Sequence, residues 1–199
     1  MPDSLDPPSD PMTFFAEWYA DAEACEAIQY AGAMCLSTVS PDDFPEGRIV
    51  LLHDASADGF AFFTDRRSGK GQSLAETPRA ALTFYWGPLE RQIRVQGEVE
   101  RGTDAKADAF FAERPRRSKG TAWASPQSQP LAPEELEQRI QATDDRFAED
   151  EPIPRPPYWQ VYRVRPRMIE FWEARARRLH ERIRYTRSGG DWTRQRLAP

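Results

Sequence analysis

The chain has 199 residues, of which 39% are hydrophobic, 12% aromatic and 30% charged, enough for one domain with a real core and too aromatic for a disordered chain. No apolar run approaches the roughly 20 residues that cross a bilayer, and the acidic, Pro-rich start MPDSLDPPSDP lacks the basic and apolar stretches of a secretory signal, so a cytoplasmic protein without a membrane partner is expected. Charge is uneven: residues 154–199 hold 12 Arg against 4 acids, and residues 1–153 hold 15 Lys and Arg against 28 acids, which suggests an anionic ligand or partner surface served by the C-terminal part; with no recognised binding motif, nucleic acid is not expected.

Residues 1–10 read as a flexible acidic leader, and residues 11–199 as a single domain. Asp10-Pro11 fits an N-cap followed by Pro at the first helical position. Phe14, Phe15, Trp18, Ala22 and Cys25 then recur at helical spacing, which predicts an amphipathic helix over 11–29 with its aromatic stripe in the core. Ala33 to Val39 predicts a strand, and SPDDFPEG (40–47) a turn. Arg48 to Asp54 predicts a second strand, apolar through its middle and so covered on both faces. After a turn at ASADG, Phe60 to Thr64 forms a third strand, and Ser68 caps a short helix to Glu76.

Two long strands follow, Arg79 to Trp86 and Gln92 to Glu100, joined at Gly87-Pro88. Residues 103–113 and 133–148 read as helices, the second begun by Pro133-Glu134-Glu135. Pro152 to Pro157 is stiff. Trp159 to Trp172, His180 to Arg187 and Trp192 to Leu197 are the last strands, with a Ser188-Gly189-Gly190 turn between the final two. Strands in succession with short turns and a few helices predict an antiparallel sheet closing on itself.

The residues alone show no catalytic constellation. Cys25 and Cys35 give no disulfide or metal pattern and read as two buried thiols. The two histidines, His53 and His180, fall in separate strands. No HExxH, GxSxG or glycine-rich phosphate loop occurs, so no metal site is expected and redox work would require an organic cofactor.

The strongest signal is C-terminal: IEFW at 169–172, RLHER at 178–182, and a Trp-containing strand ending in RLAP. Upstream, in order, stand RIVLLH (48–53), FFT (62–64), SGK (68–70), LERQ (89–92), FFAERPRRS (110–118) and PQSQ (126–129). This series resembles the pyridoxamine 5'-phosphate oxidase family over nearly the whole chain. The resemblance implies a mainly β, FMN-binding split β-barrel with flanking helices, working as a homodimer with FMN at the interface.

The resemblance further implies that Arg48, Lys70 and Ser128 hold the FMN phosphate, with Thr64 and Gln127 nearby. Ile49, Val50, Leu51 and Phe63 line the cofactor. Gln92 bonds the flavin edge, while Trp172 and Arg182 approach the ring. Arg178 and His180 are the implied catalytic pair, orienting a small-molecule substrate over the flavin, and dioxygen is the implied oxidant. His53, Phe110, Arg114 and Ser118 occupy the places that meet the substrate phosphate. Alternatives are an oxidase of another planar ring on the same scaffold, of the phenazine-precursor type, and a non-catalytic flavin- or pyridoxal-phosphate-binding protein.

Three positions depart from the pattern. His53 stands where a lysine is expected, Phe110 where a tyrosine is expected, and Gly69 where an arginine is expected. The first two weaken the grip on a substrate phosphate, since Phe offers no hydrogen bond and His is only partly charged near neutrality. Arg66 and Arg67, just upstream, are the residues expected to compensate for Gly69.

Overall fold

The computed structural model describes residues 6–147 and 151–199. One nine-stranded antiparallel sheet carries the chain: β1 (Ala33–Val39), β2 (Pro45–Leu51), β3 (Asp54–Ser56), β4 (Gly59–Asp65), β5 (Arg79–Trp86), β6 (Arg91–Arg101), β7 (Trp159–Glu173), β8 (Glu181–Ser188) and β9 (Asp191–Arg196). Its path runs β2-β1-β5-β6-β7-β4-β3, with the β8-β9 hairpin added alongside β7. The 15-residue β7 makes this possible. Its first part, from Trp159 to Val164, pairs with β4, and its last part, from Met168 to Glu173, pairs with β8. Between them the β6–β7 register slips at Gln96/Gly97. A Cβ at Gly97 would lie 2.0 Å from the Arg165 carbonyl oxygen, so the bend requires glycine.

Helix α1 (Pro11–Ala24) is capped by Asp10, which accepts hydrogen bonds from the Met12 and Thr13 amides at 3.2 and 3.1 Å. Its stripe of Phe14, Phe15, Trp18 and Ala22 is buried, with Phe14 against Phe171 and Phe15 against Phe60 and Phe84. The aromatic stripe is core, as expected. The helix stops five residues before the expected Gln29, where Cys25 is extended and Glu23 and Glu26 are exposed. Cys25 and Cys35 are free and half-buried rather than buried.

Strand β2 begins at Pro45, three residues before the expected Arg48, and ends at Leu51. It is an edge strand, where a residue without an N–H is tolerated. The expectation that this strand is covered on both faces fails within one protomer: Ile49 is 68% and Leu51 59% exposed. His53 and His180 lie outside strands, each just before one.

Helix α2 (Gly69–Glu76) starts where expected, with Ser68 capping. Helix α3 (Asp104–Glu113) follows β6, and α4 (Arg116–Ala124) packs against α5 (Pro133–Arg146). The expected end of α5 at residue 148 lies outside the described residues. Pro115 precedes α4, which the sequence did not announce: RRSKGTAWA has no apolar period. A second aromatic cluster of Phe111, Phe147, Ile153 and Trp159 seats these helices on the sheet, with Phe63, Phe110 and Trp123 packed against it.

Of the leader expected over residues 1–10, residues 1–5 lie outside the described residues. Pro7 is buried; the Pro8 carbonyl accepts a hydrogen bond from the Tyr185 hydroxyl at 2.6 Å, and the Pro7 carbonyl accepts one from Arg194. No helix among the described residues is long and apolar enough to cross a membrane.

Candidate active site

The groove between β2, β4, α2, α3 and α4 has a volume of about 590 Å³. It gathers twelve of the residues singled out in the sequence: Arg48, Ile49, Val50, Leu51, His53, Phe63, Thr64, Lys70, Phe110, Arg114, Ser118 and Gln127. These come from segments 79 positions apart in the chain, so the grouping is a product of the fold.

One end of the groove is cationic. Lys70 sits in the first turn of α2 and donates from Nζ to Gln127 Oε1 at 2.9 Å and to Ser68 Oγ at 3.4 Å. Gln127 Oε1 also accepts from Thr64 Oγ1 at 3.0 Å. Burial lowers the Lys70 pKa, and the Arg48 charge lowers it further, against an opposing pull from Asp65. The two cations are therefore close enough to repel. Arg48 donates to Thr38 Oγ1 at 2.6 Å and to Glu46 Oε2 at 2.5 Å, whereas no carboxylate among the described residues bonds Lys70. Ser128, next to Gln127, holds a left-handed backbone at φ 69°, a conformation that costs a non-glycine residue energy and is found where local geometry is over-determined.

The other end is aromatic. Phe63 stacks on Phe110 at 4.2 Å and on Trp159 at 4.6 Å, both nearly parallel. The His53 ring meets Phe110 edge-on at 3.8 Å and Phe63 at 4.7 Å. Loss of water there lowers the His53 pKa despite Asp54 and Glu113, which raise it, and so favours the uncharged imidazole. Arg114 lies over the Trp159 ring at 5.0 Å, and burial lowers its pKa. Arg114 and Ser118 line both this groove and an adjoining cavity of about 330 Å³.

The remaining predicted residues form a second cluster on β6, β7 and β8. Gln92 pairs across strands with Trp172, and Trp172 with Arg182. The Trp172 and His180 rings are 4.8 Å apart, and His180 Nδ1 accepts from the Arg175 amide at 3.3 Å. Arg177 and Arg178 are consecutive left-handed residues, with φ of 57° and 62°. None of Gln92, Trp172, Arg178, His180 and Arg182 lines the groove of the same protomer.

Sequence reasoning missed Glu170, which organises this cluster. Its side chain is 2% exposed. Glu170 Oε1 accepts from Arg182 at 3.1 and 2.8 Å, and Oε2 from Arg184 at 3.0 and 2.8 Å. Burial pushes this carboxyl up, but the hydrogen bonds and charges of the two arginines outweigh it and hold it below its ordinary value. The usable signal was an acid inside an apolar strand segment, MIEFW, facing an Arg-rich strand. The expected compensation for Gly69 does not occur. Arg67 is bound to Asp65 at 2.7 Å and lies over the Tyr158 ring, and Arg66 lines a different cavity.

A curled antiparallel sheet with a cationic groove on its open face defines the FMN-binding split-barrel class. PhzG from Burkholderia lata 383, solved with tetrahydrophenazine-1-carboxylic acid, superposes with a TM-score of 0.90 at 31% identity, covering 100% of this chain and 97% of that one. A pyridoxamine 5'-phosphate oxidase-related, FMN binding protein from Nostoc punctiforme PCC 73102 shares the fold at a TM-score of 0.78 and 20% identity, covering 99% and 100%. The chain belongs to the pyridoxamine 5'-phosphate oxidase family: residues 20–146 match the family described as Pyridoxamine 5'-phosphate oxidase, and residues 159–199 match the Pyridoxine 5'-phosphate oxidase C-terminal dimerisation region. The pyridoxine/pyridoxamine 5'-phosphate oxidase of Myxococcus xanthus (strain DK1622) is 49% identical over 193 residues, 96% of this chain and 93% of that protein. As a member of this family, the protein is an FMN-dependent oxidase.

Proposed function

We propose that this oxidase converts pyridoxine and pyridoxamine 5'-phosphate to pyridoxal 5'-phosphate, in active sites that two copies of the chain complete for each other. The observation that carries the reading is the half-buried Lys70 beside Arg48, an anion receptor without a carboxylate of its own on the lysine. The groove fits FMN. Lys70, Arg48, Thr64, Gln127 and Ser128 would hold its phosphate through charge-assisted hydrogen bonds, and Ile49, Val50, Leu51 and Phe63 would line its ring system. Bound FMN supplies two-electron redox chemistry, with dioxygen as acceptor and hydrogen peroxide as product.

The chain's own residues do the rest. Arg114 and Ser118 would bind the substrate phosphate, with Arg114 already desolvated over Trp159. His53 and apolar Phe110 add ring packing there. Gln92, Trp172 and Arg182 from a second copy would border the flavin, with Arg178 and His180 orienting the substrate. Proximity and orientation are then the main contribution of the protein. Two facts support the composite site: the second cluster is separate from the groove in one protomer, and Ile49 and Leu51 are exposed on the edge strand beside it. The reading places the protein in the cytoplasm, in vitamin B6 biosynthesis.

A second reading, oxidation of an unphosphorylated planar ring, is favoured by the His53–Phe110–Phe63 packing where phosphate partners were expected. Anaerobic flavin bleaching separates the two. Pyridoxine 5'-phosphate should bleach the flavin, and a dihydro-aromatic carboxylic acid should not; the opposite result favours the second reading. Mixing inactive Lys70→Ala and His180→Ala proteins should restore activity through mixed dimers. No restoration would refute the composite site.

A further inference from the structure

Side chains two residues apart on a strand share a face, so β6, β7 and β8 present their side chains in rows. One row is Gln92, Trp172 and Arg182, and the next on the same face is Arg94, Glu170 and Arg184. The two rows lie roughly 7 Å apart. The opposite face carries Ile93, Phe171 and Ile183 into the core. In the composite site the first row borders the flavin. The second row has no part in that site, yet it holds the buried carboxylate of the cluster.

Glu170 reaches across to fix Arg182 in the first row. Arg182 Nε and Nη2 donate to Glu170 Oε1, and Arg182 Nη1 donates to the Ala198 carbonyl at 3.0 Å. The Leu197 amide donates to the Arg182 carbonyl at 2.9 Å, so the end of the chain fastens the same residue. A guanidinium has five N–H groups, and two of those on Arg182 remain without a partner among the described residues. An arginine held in this way has lost most of its rotamer freedom before any ligand arrives. The charges of the cluster do not balance. Arg184 donates twice to Glu170 Oε2, and Arg94 Nη1 lies 3.9 Å from Oε1. One carboxylate thus faces three guanidinium groups, and none of the three has another ion-pair partner among the described residues.

We infer that Glu170 is a positioning residue of the oxidase: it holds the Arg182 guanidinium ready for the flavin edge, and the surplus positive charge of Arg94 and Arg184 behind it raises the potential of the bound flavin. The inference rests on the composite site proposed above. Reduction leaves negative charge on the flavin ring, and donors and cations fixed in advance stabilise charge where it develops without reorganising. An Arg182 free to swing would have to be ordered at that moment and would supply less. Glu170 also carries a negative charge of its own, so two roles predict opposite signs. A carboxylate acting by charge alone opposes reduction, whereas one acting through Arg182 promotes it.

The test is a sulfite titration of the FMN-loaded protein at constant ionic strength, followed by loss of flavin absorbance, with the midpoint potential measured beside it. Sulfite adds to the flavin ring and leaves negative charge on it, so its affinity reports the same stabilisation without turnover. Arg182→Gln should weaken sulfite binding by about tenfold or more, Glu170→Gln by about tenfold, and the more exposed Arg184→Gln by about threefold. A tenfold change corresponds to a midpoint about 30 mV lower for a two-electron couple. Unchanged or tighter sulfite binding in Glu170→Gln, with binding weakened in Arg182→Gln, would overturn the positioning role and leave the composite site standing. Unchanged binding in Arg182→Gln would overturn the composite site itself. Glu170→Asp keeps the charge and shortens the reach, so it should still weaken binding by about threefold, and it tests the positioning even if Glu170→Gln folds poorly. Arg184→Gln leaves the Glu170–Arg182 bonds in place, and unchanged binding there would overturn the part assigned to surplus charge.

Discussion

Replacing Gly69 by arginine should tighten FMN binding. Gly69 is the first residue of α2, next to Lys70, and a Cβ there meets nothing within 4 Å. Its backbone is outside the left-handed region, so a side chain adds no strain. The phosphate end of the groove now has Lys70 and an Arg48 already shared with Glu46. A charge-assisted hydrogen bond from a new guanidinium contributes about 1.5–3 kcal/mol. Ordering the long side chain costs about 1–2 kcal/mol, and a cation at a helix N-terminus costs about 0.3–1 kcal/mol before the phosphate arrives. Removing glycine from the helix returns about 0.5–1 kcal/mol to the fold in both states, so it cancels from binding. The unliganded protein already bears the dipole cost, so it does not subtract from binding, and the net is about 0.8 kcal/mol, or about fourfold in Kd. Flavin fluorescence quenching, titrated into the flavin-free protein at low and high salt, measures it. The gain should shrink with salt. Unchanged or weaker binding at low salt, in a variant with wild-type thermal stability, would refute the placement of the flavin phosphate at the start of α2.

The substrate end should respond to His53→Lys with Phe110→Tyr. Two added phosphate partners should tighten pyridoxine 5'-phosphate binding by about tenfold, read as a lower KM. The dimer should be sensitive to Leu51→Lys with Ile49→Lys, since about 1.5–3 kcal/mol of burial is lost per side chain; light scattering should show the dissociation constant rising by about two decades or more. Glu170→Gln should destabilise the protein by about 3 kcal/mol at pH 7, because two arginines lose a buried partner. The native pKa of Glu170 is below the unfolded value of 4.5, so its contribution is complete above that pH and is lost as pH falls through the lower native value. The stability gap between wild type and variant, measured by denaturant midpoints, should therefore narrow below pH 4.5 and not above it.

Much of the fold was legible because turns and caps carry their own chemistry. Ser68 at the start of α2 and Gly189-Gly190 between β8 and β9 fall where sequence places them, the glycines with φ of 61° and 104°. The α1 stripe was legible because four large or small apolar residues recur on one face. What was missed lacked such signals. β3 is three residues long, and α4 has no apolar period. The early start of β2 at Pro45 was hidden because its edge position, which tolerates proline, is a property of the sheet and not of the segment. The site was legible by resemblance but not by local pattern. Nothing in the strand around Arg48 or in the turn around Arg178 announces that they fall on separate surfaces of one protomer, because that separation depends on where β7 changes partners.

The carbonyls of Pro7 and Pro8, held by Arg194 and Tyr185, knot the start of the described chain to its final hairpin. During synthesis the first helix would have to wait for nearly the whole polypeptide before its leading end could be locked. Extensions or deletions at one terminus should therefore be felt at the other, and a tag that pulls residues 6–10 away would loosen the same strand that bears Arg182.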